Sequence, residues 1–485
     1  MTDDTPGRWA TASGIAGAVG SGRISATAVA EDCLARIAAL NPEVNAFTAV
    51  TARRALAEAL SVDAAIAGGR PPGPLAGVPF AVKNLFDVEG LATLAGSKIN
   101  RDRPPARRDA LLIRRLRAAG AVLVGTLGMG EYAYDFTGEN AHDGACRNPH
   151  DLSRMTGGSS SGCGAATAAG LAPISLGSDT NGSLRVPASL CGVFSLKPTY
   201  GRLPRTGTFS FVDSLDHLGP FARSARDLAL AHDAMQGPDD GDHACSRRPP
   251  DPVLSGLDAL PGDMTVGLPG GWFARNLGEA TQEAIEMVSE ALTSLGVAQV
   301  PVDLDAAEAG RAAAYLVTNS ESAAFHLDRL RARAAEFDPD TRDRFLAGAL
   351  LPAAWVARAQ RVRAWWLARA LEVFAGVDAL VVPATPVSAP LRGETRLALG
   401  GRVLPLRPNL GLLAQPFSCI GLPVVTVPVF LPGELPVGVQ IVTPPWCEGR
   451  ALAIARALER TGLARAHPPA LPIPEAPLRR SATAL

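Results

Sequence analysis

Three glycine-flanked segments constrain this chain more than any other feature: Gly77-Val-Pro-Phe-Ala-Val-Lys-Asn84, Gly157-Gly-Ser-Ser-Ser-Gly162 and Gly177-Ser-Asp-Thr-Asn-Gly-Ser-Leu-Arg185. Pro79-Phe-Ala-Val-Lys83 reads as an apolar strand ending on a lysine, where burial is expected to depress the pKa. Gly157 and Gly158 permit a tight backbone path around Ser159, and Cys163-Gly-Ala-Ala-Thr-Ala-Ala-Gly170 reads as a small-residue helix packed closely beneath it. Ala172-Pro-Ile-Ser-Leu-Gly177 then reads as a short buried strand that returns the chain, so that Ser183, twenty-four positions after Ser159, can reach it. A serine hydroxyl is a weak nucleophile at neutral pH, and a lysine kept neutral by desolvation can take its proton. Lys83, Ser159 and Ser183 are therefore expected to form a serine nucleophile activated without histidine.

The loop Thr180-Asn-Gly-Ser183 offers consecutive backbone N–H groups to a developing oxyanion, from Thr180, Asn181, Gly182 and Ser183. Such donors contribute roughly 3 kcal/mol each to transition-state stabilisation. Asn181 adds a side-chain donor or acceptor suited to a ureido or carboxylate group. Arg185 has two readings, a structural ion pair or the binding of a substrate carboxylate.

Other readings of these segments are weaker. Gly/Ser-rich stretches often serve as linkers, but the buried-looking run after residue 162 argues against that. A phosphate-cradling loop would need a Gly-Lys-Ser/Thr ending, which is absent. Gly158-Ser-Ser-Ser-Gly162 satisfies Gly-x-Ser-x-Gly, which would make Ser160 a nucleophile, yet the preceding Asp151-Leu-Ser-Arg-Met-Thr156 reads as a poor strand. His142 and His150 are expected to be structural or solvent-facing, and Cys163 and Cys191 to be packing residues.

With these motifs the chain resembles the amidase signature family, and the likeness continues through Arg185-Val-Pro-Ala-Ser-Leu-Cys-Gly192, Leu196-Lys-Pro-Thr-Tyr-Gly201, Asp378-Ala-Leu-Val-Val-Pro-Ala-Thr-Pro386 and Gly438-Val-Gln-Ile441. The resemblance implies an α/β fold, the amidase-signature α/β/α sandwich with a central mixed β-sheet flanked by helices. It implies amide hydrolysis without metal or cofactor, with Lys83 as base, Ser159 as a bridging serine after a cis peptide bond, and Ser183 as nucleophile. Within the family the chain is similar to the 1-carboxybiuret hydrolase group of s-triazine breakdown. The carrying residues are Leu94-Ala-Gly-Ser-Lys-Ile-Asn100, Arg147-Asn-Pro-His-Asp151, Asp179-Thr-Asn-Gly-Ser183, His217-Leu-Gly-Pro220, Ala234-Met-Gln-Gly-Pro-Asp239 and Gly270-Gly-Trp-Phe273. Asn181 and Ser161, where the general pattern has glycine, fit this group, whereas Gly128 and Gly130 depart from the Asn and Asp expected there. That group implies a small ureido or carboxamide substrate and a small partner subunit. Two alternatives share the fold: the glutamine-hydrolysing component of a tRNA-dependent amidotransferase, and a non-catalytic scaffold.

At 485 residues the chain is expected to form one large domain over 1–465, with a catalytic core at about 75–225, a helix-rich pocket region at about 311–374 and a Pro-rich tail at 466–485. Glu279 to Leu295 and Asp109 to Gly120 are amphipathic helix patterns that stop at glycine and run into strand-like segments. Ala379-Leu-Val-Val382 and Val424-Val-Thr-Val427 read as strands of a sheet buried on both faces. A net charge of −1 gives no electrostatic footprint for nucleic acid. Seven scattered cysteines without a Cys-x-x-Cys pair suggest free thiols, no zinc cluster and a cytoplasmic location, and no membrane segment is expected. A symmetric homodimer is the expected assembly.

Overall fold

The computed structural model describes residues 7–471 except 261, 276 and 305, so most of the expected C-terminal tail, 472–485, lies outside the described residues. Eleven strands form one sheet: β1 (Phe47–Val50), β2 (Pro79–Lys83), β3 (Val122–Leu127), β4 (Ile174–Asp179), β5 (Phe194–Lys197), β6 (His217–Ala222), β7 (Thr265–Pro269), β8 (Ala298–Val302), β9 (Ala379–Pro383), β10 (Val424–Val429) and β11 (Val437–Val442). Their order is β1-β3-β2-β4-β6-β5-β10-β11-β9-β7-β8. β2 runs parallel to both β3 and β4, whereas β6, β5, β10 and β11 join in antiparallel steps, so the sheet is mixed. Every residue of β2, β3, β4, β5, β6, β9, β10 and β11 is buried. Such continuously apolar strands are what a sheet covered by helices on both faces requires.

The expected helix–glycine–strand units form, with shifted ends. The first helix is Leu111–Ala118, and the turn into β3 uses Gly120. Asp109 does not cap that helix; its carboxylate instead takes a two-point contact from Arg54 at 2.9 and 2.5 Å. The second helix is Glu279–Ser294, followed by β8. Asp151–Met155 corrects the reading of a poor strand: it pairs with Arg147–Asn148 in a separate two-stranded hairpin. It is mostly half-exposed, so it does not feed a nucleophile elbow from within a buried sheet.

Between β8 and β9 the chain forms three helices, Ala307–Arg333, Pro339–Ala349 and Ala353–Val373, which lie over the end of the sheet where β4 terminates and contribute to a cavity there. No helix of the described residues is long and apolar enough to cross a membrane. All seven cysteines are free thiols.

Candidate active site

Lys83 is the last residue of β2 and its side chain is fully buried. The register of the parallel pair sets Val82 against Leu176, which carries Ser178 of β4 alongside Lys83. Ser178 Oγ lies 2.9 Å from Lys83 Nζ. The turn before the helix Ser161–Ala168 approaches from another side and adds Ser159 Oγ at 2.8 Å and Ser160 Oγ at 3.0 Å. The Gly158–Ser159 peptide is cis, and Gly157 has φ +75° with an imagined Cβ only 3.1 Å from the backbone of Pro187, so glycine is the residue that fits.

Lys83 Nζ thus has three hydroxyl partners, and no carboxylate is within ion-pair distance among the described residues. Burial pushes its pKa down to about 8, against the opposing pull of the Cys163 thiol and the more distant carboxylates of Asp216, Asp179 and Asp135. The sequence reading missed Ser160 and Ser178 as partners. Ser160 Oγ also lies 3.0 Å from the carbonyl oxygen of Ser178, an acceptor, so Ser160 donates its proton there and accepts from Lys83.

Ser183 sits on the loop after β4, and that loop is wound around one carboxylate. Asp179 Oδ1 accepts the Gly182 N–H at 2.7 Å, and Oδ2 accepts the Leu184 N–H at 3.1 Å. Gly182 has φ +133° and no room for a Cβ, which would stand 2.8 Å from Ala414 Cβ. The Gly182 N–H is therefore committed to Asp179, which corrects its expected place among the oxyanion donors. Burial raises the Asp179 pKa, but the Arg185 guanidinium outweighs it and holds the carboxyl below the usual range.

Arg185 is also corrected as a substrate-binding residue. It is fully buried and all five of its N–H donors have acceptors in the protein. Nε and Nη2 reach Asp179 at 2.9 and 3.0 Å, Nη1 reaches the Ala414 carbonyl and Gln440 Oε1 at 2.8 Å each, and Nη2 also meets Ser418 Oγ. It has nothing left for a substrate.

Ser183, Asn181 and Thr180 form one wall of a cavity enclosing about 350 Å³ of empty space. Tyr134 and Phe136, Tyr315 and Thr318, Arg344 and Gln415 make the other walls. Asn181 Nδ2 donates to Thr318 Oγ1 at 2.8 Å, while Asn181 Oδ1 is buried without a partner. No hydrogen bond joins Ser183 Oγ to Ser159 Oγ in this structure, so the hydroxyl on the cavity wall and the Lys83–Ser159 pair behind it are not in direct contact. His142 Nε2 is 2.8 Å from Glu131 Oε1 and His150 Nε2 is 3.2 Å from the Cys191 carbonyl, both away from the cavity.

The family model for amidases matches residues 28–452. The chain belongs to the amidase signature family. It is 52% identical to AtzE, the 1-carboxybiuret hydrolase component of Pseudomonas sp. (strain ADP), across 92% of this chain and 97% of that relative. It is 38% identical to GatA-type glutamyl-tRNA(Gln) amidotransferase from Anaeromyxobacter dehalogenans (strain 2CP-C), across 90% of this chain and 93% of that relative. A solved structure described as "an unexpected vestigial protein complex" revealing "the evolutionary origins of an s-triazine catabolic enzyme" superposes with a TM-score of 0.92 at 50% identity, across 94% of this chain and 100% of that one.

Membership makes this protein an amide hydrolase with the α/β architecture of the family's solved structures. Gly128 departs from the family pattern for a local reason. An imagined Cβ on Gly162, at the start of the helix behind Ser159, would lie 2.6 Å from the Gly128 nitrogen, so the two backbones are in close approach. Gly130 is similarly closed, with an imagined Cβ 2.3 Å from Asp135 Cβ.

Proposed function

We propose that this amidase hydrolyses a small carboxylated ureide, 1-carboxybiuret, with Ser183 as nucleophile and Lys83 acting through Ser159. The observation that carries the reading is the environment of Lys83 Nζ: fully buried, ringed by three serine hydroxyls and free of any carboxylate partner among the described residues. A neutral amine there has two N–H groups and one lone pair. Ser160 takes one N–H, Ser178 takes the second, and the lone pair faces Ser159.

In the first step Ser159 hands its proton to Lys83 and accepts the proton of Ser183 Oγ, which attacks the amide carbonyl. The N–H groups of Thr180, Asn181 and Ser183 stand on the same loop as donors for the oxyanion. Collapse of the tetrahedral intermediate breaks the C–N bond, and the proton held by Lys83 returns through Ser159 to the departing nitrogen. Water, deprotonated by the same route, then cleaves the acyl-serine and releases the acid. The small cavity and the 52% identity to the 1-carboxybiuret hydrolase component support the substrate.

The 38% identity to a glutamyl-tRNA(Gln) amidotransferase favours glutamine as a second reading. We also read the chain as one domain through residue 465, acting in the cytoplasm as a homodimer with a small partner protein, since the superposed structure is described as a complex. Ammonia release from 1-carboxybiuret, biuret and glutamine, with the protein alone and with a candidate small partner, tests these points. Preference for 1-carboxybiuret supports the first reading, preference for glutamine the second, and release from none overturns both.

A further inference from the structure

The cavity wall opposite Ser183 carries a cation that no protein carboxylate neutralises. Arg344, on the helix Pro339–Ala349, lies over the Tyr134 ring with its guanidinium carbon 3.8 Å from the ring centre. Its Nε donates to the Asp340 carbonyl at 2.9 Å and its Nη2 to the Tyr134 carbonyl, which leaves Nη1 without a partner among the described residues. No ion pair to Arg344 is present among them. The one carboxylate on the cavity wall, Asp135, is already engaged: it meets Arg407 Nη1 at 2.5 Å and accepts hydrogen bonds from Thr137 and Gly138. The wall therefore carries an uncompensated positive charge, with two of the guanidinium's edges fixed by carbonyls and one edge free.

A second unmet group faces the same space. Asn181 Oδ1 is buried with no donor, because Thr318 Oγ1 takes the amide nitrogen and so sets which end of the amide is oxygen. A buried acceptor left without a donor costs free energy, and a ligand that supplies the N–H recovers it. Gln415 is oriented too, since its Oε1 accepts from Arg311 Nε at 2.8 Å, so the amide nitrogen is the end left for the cavity. A free guanidinium edge and an orphaned amide oxygen on one small cavity call for a ligand with an anionic end and an N–H group.

We propose that Arg344 Nη1 and Asn181 Oδ1 are the two contacts by which the cavity selects its substrate, the first receiving a carboxylate and the second the N–H of a ureide. The proposal rests on the reading of this cavity as the substrate site and names the residues that set its selectivity. It transfers to Arg344 the role that the sequence suggested for Arg185.

Four stable probes separate the two contacts. Succinamate and succinamide differ by the carboxylate alone. Hydantoate and succinamate differ by N–H in place of CH₂ next to the carbonyl. Binding is measured by calorimetry on Ser183→Ala protein, so that turnover does not interfere, and hydrolysis by the unaltered protein is recorded separately with 1-carboxybiuret as the fourth probe. The proposal expects succinamate to bind more tightly than succinamide by roughly 10- to 100-fold, the loss typical of a charge-assisted hydrogen bond. Arg344→Gln abolishes that difference and leaves succinamide binding unchanged, while Arg344→Lys restores part of it. Hydantoate binds more tightly than succinamate, and Asn181→Leu removes this second preference without touching the first. Equal binding of succinamate and succinamide, or equal weakening of both by Arg344→Gln, overturns the proposal and leaves Arg344 as a support for Tyr134. Binding of none of the probes overturns it as well. If 1-carboxybiuret is not hydrolysed while the binding preferences hold, the catalytic reading fails and the recognition site stands.

Discussion

Arg185 and Asp179 are joined by two parallel contacts, Nε to Oδ2 at 2.9 Å and Nη2 to Oδ1 at 3.0 Å, with both side chains fully out of solvent. The same carboxylate holds the N–H groups of Gly182 and Leu184, the two residues that flank Ser183. The pair is therefore the mould for the loop that presents Ser183. Removing one partner of a buried pair leaves an uncompensated charge and typically costs about 3–5 kcal/mol. Arg185→Met is expected to lower the unfolding free energy by about that amount in urea titrations, with activity falling alongside it. Altered substrate preference at unchanged stability would contradict a purely structural Arg185.

Ser183→Ala and Lys83→Ala are expected to abolish ammonia release, each by at least about 10⁴-fold, because residues that act as one unit fail together. The double variant is expected to be no worse than either single one. Circular dichroism and melting curves close to those of the unaltered protein would show that the fold survives. Retained turnover in either single variant would remove that residue from the mechanism.

The burial of Lys83 sets a pH dependence with a definite sign. A base must be unprotonated, and with a pKa pushed down to about 8 roughly one tenth of Lys83 is neutral at pH 7 and roughly nine tenths at pH 9. The kcat/KM for a substrate that does not itself titrate in this range is expected to rise through pH 7–9 and then level. A flat profile across that range would mean that Lys83 is not the base.

The sequence carried the catalytic segments well because their constraints are local. Glycines at tight turns, an apolar strand ending on lysine and a small-residue helix are all visible in short windows. It carried partner choice poorly, and Lys197 shows why. Like Lys83, it ends a fully buried strand, and its pKa is pushed down by burial, to about 7. Yet its Nζ meets the Leu422 and Pro198 carbonyls, with no hydroxyl beside it. The two lysines share one local pattern, and only the pairing of β2 with β4, residues nearly a hundred apart, gives Lys83 its serines. Arg344 escaped notice for a similar reason. Nothing in Pro339–Ala349 marks one of its arginines as the residue aimed into a cavity, and the ion pairs that occupy Arg342 and Arg407 appear only in three dimensions.

Ser160 is the sharpest test of how the lysine is aimed. Its hydroxyl donates to the Ser178 carbonyl at 3.0 Å and accepts from Lys83 at 3.0 Å, so it holds one N–H of the amine away from Ser159. An acceptor of this kind stabilises the protonated lysine more than the neutral one. Ser160→Ala is therefore expected to move the rising limb of the pH profile to lower pH while kcat falls roughly tenfold, as the freed amine loses its orientation. The lost bonds are expected to reduce stability by about 1–3 kcal/mol. The two effects on activity run in opposite directions at neutral pH, which distinguishes an orienting hydroxyl from simple structural damage. If the limb stays where it is and only stability falls, Ser160 supports the turn and does not aim the base.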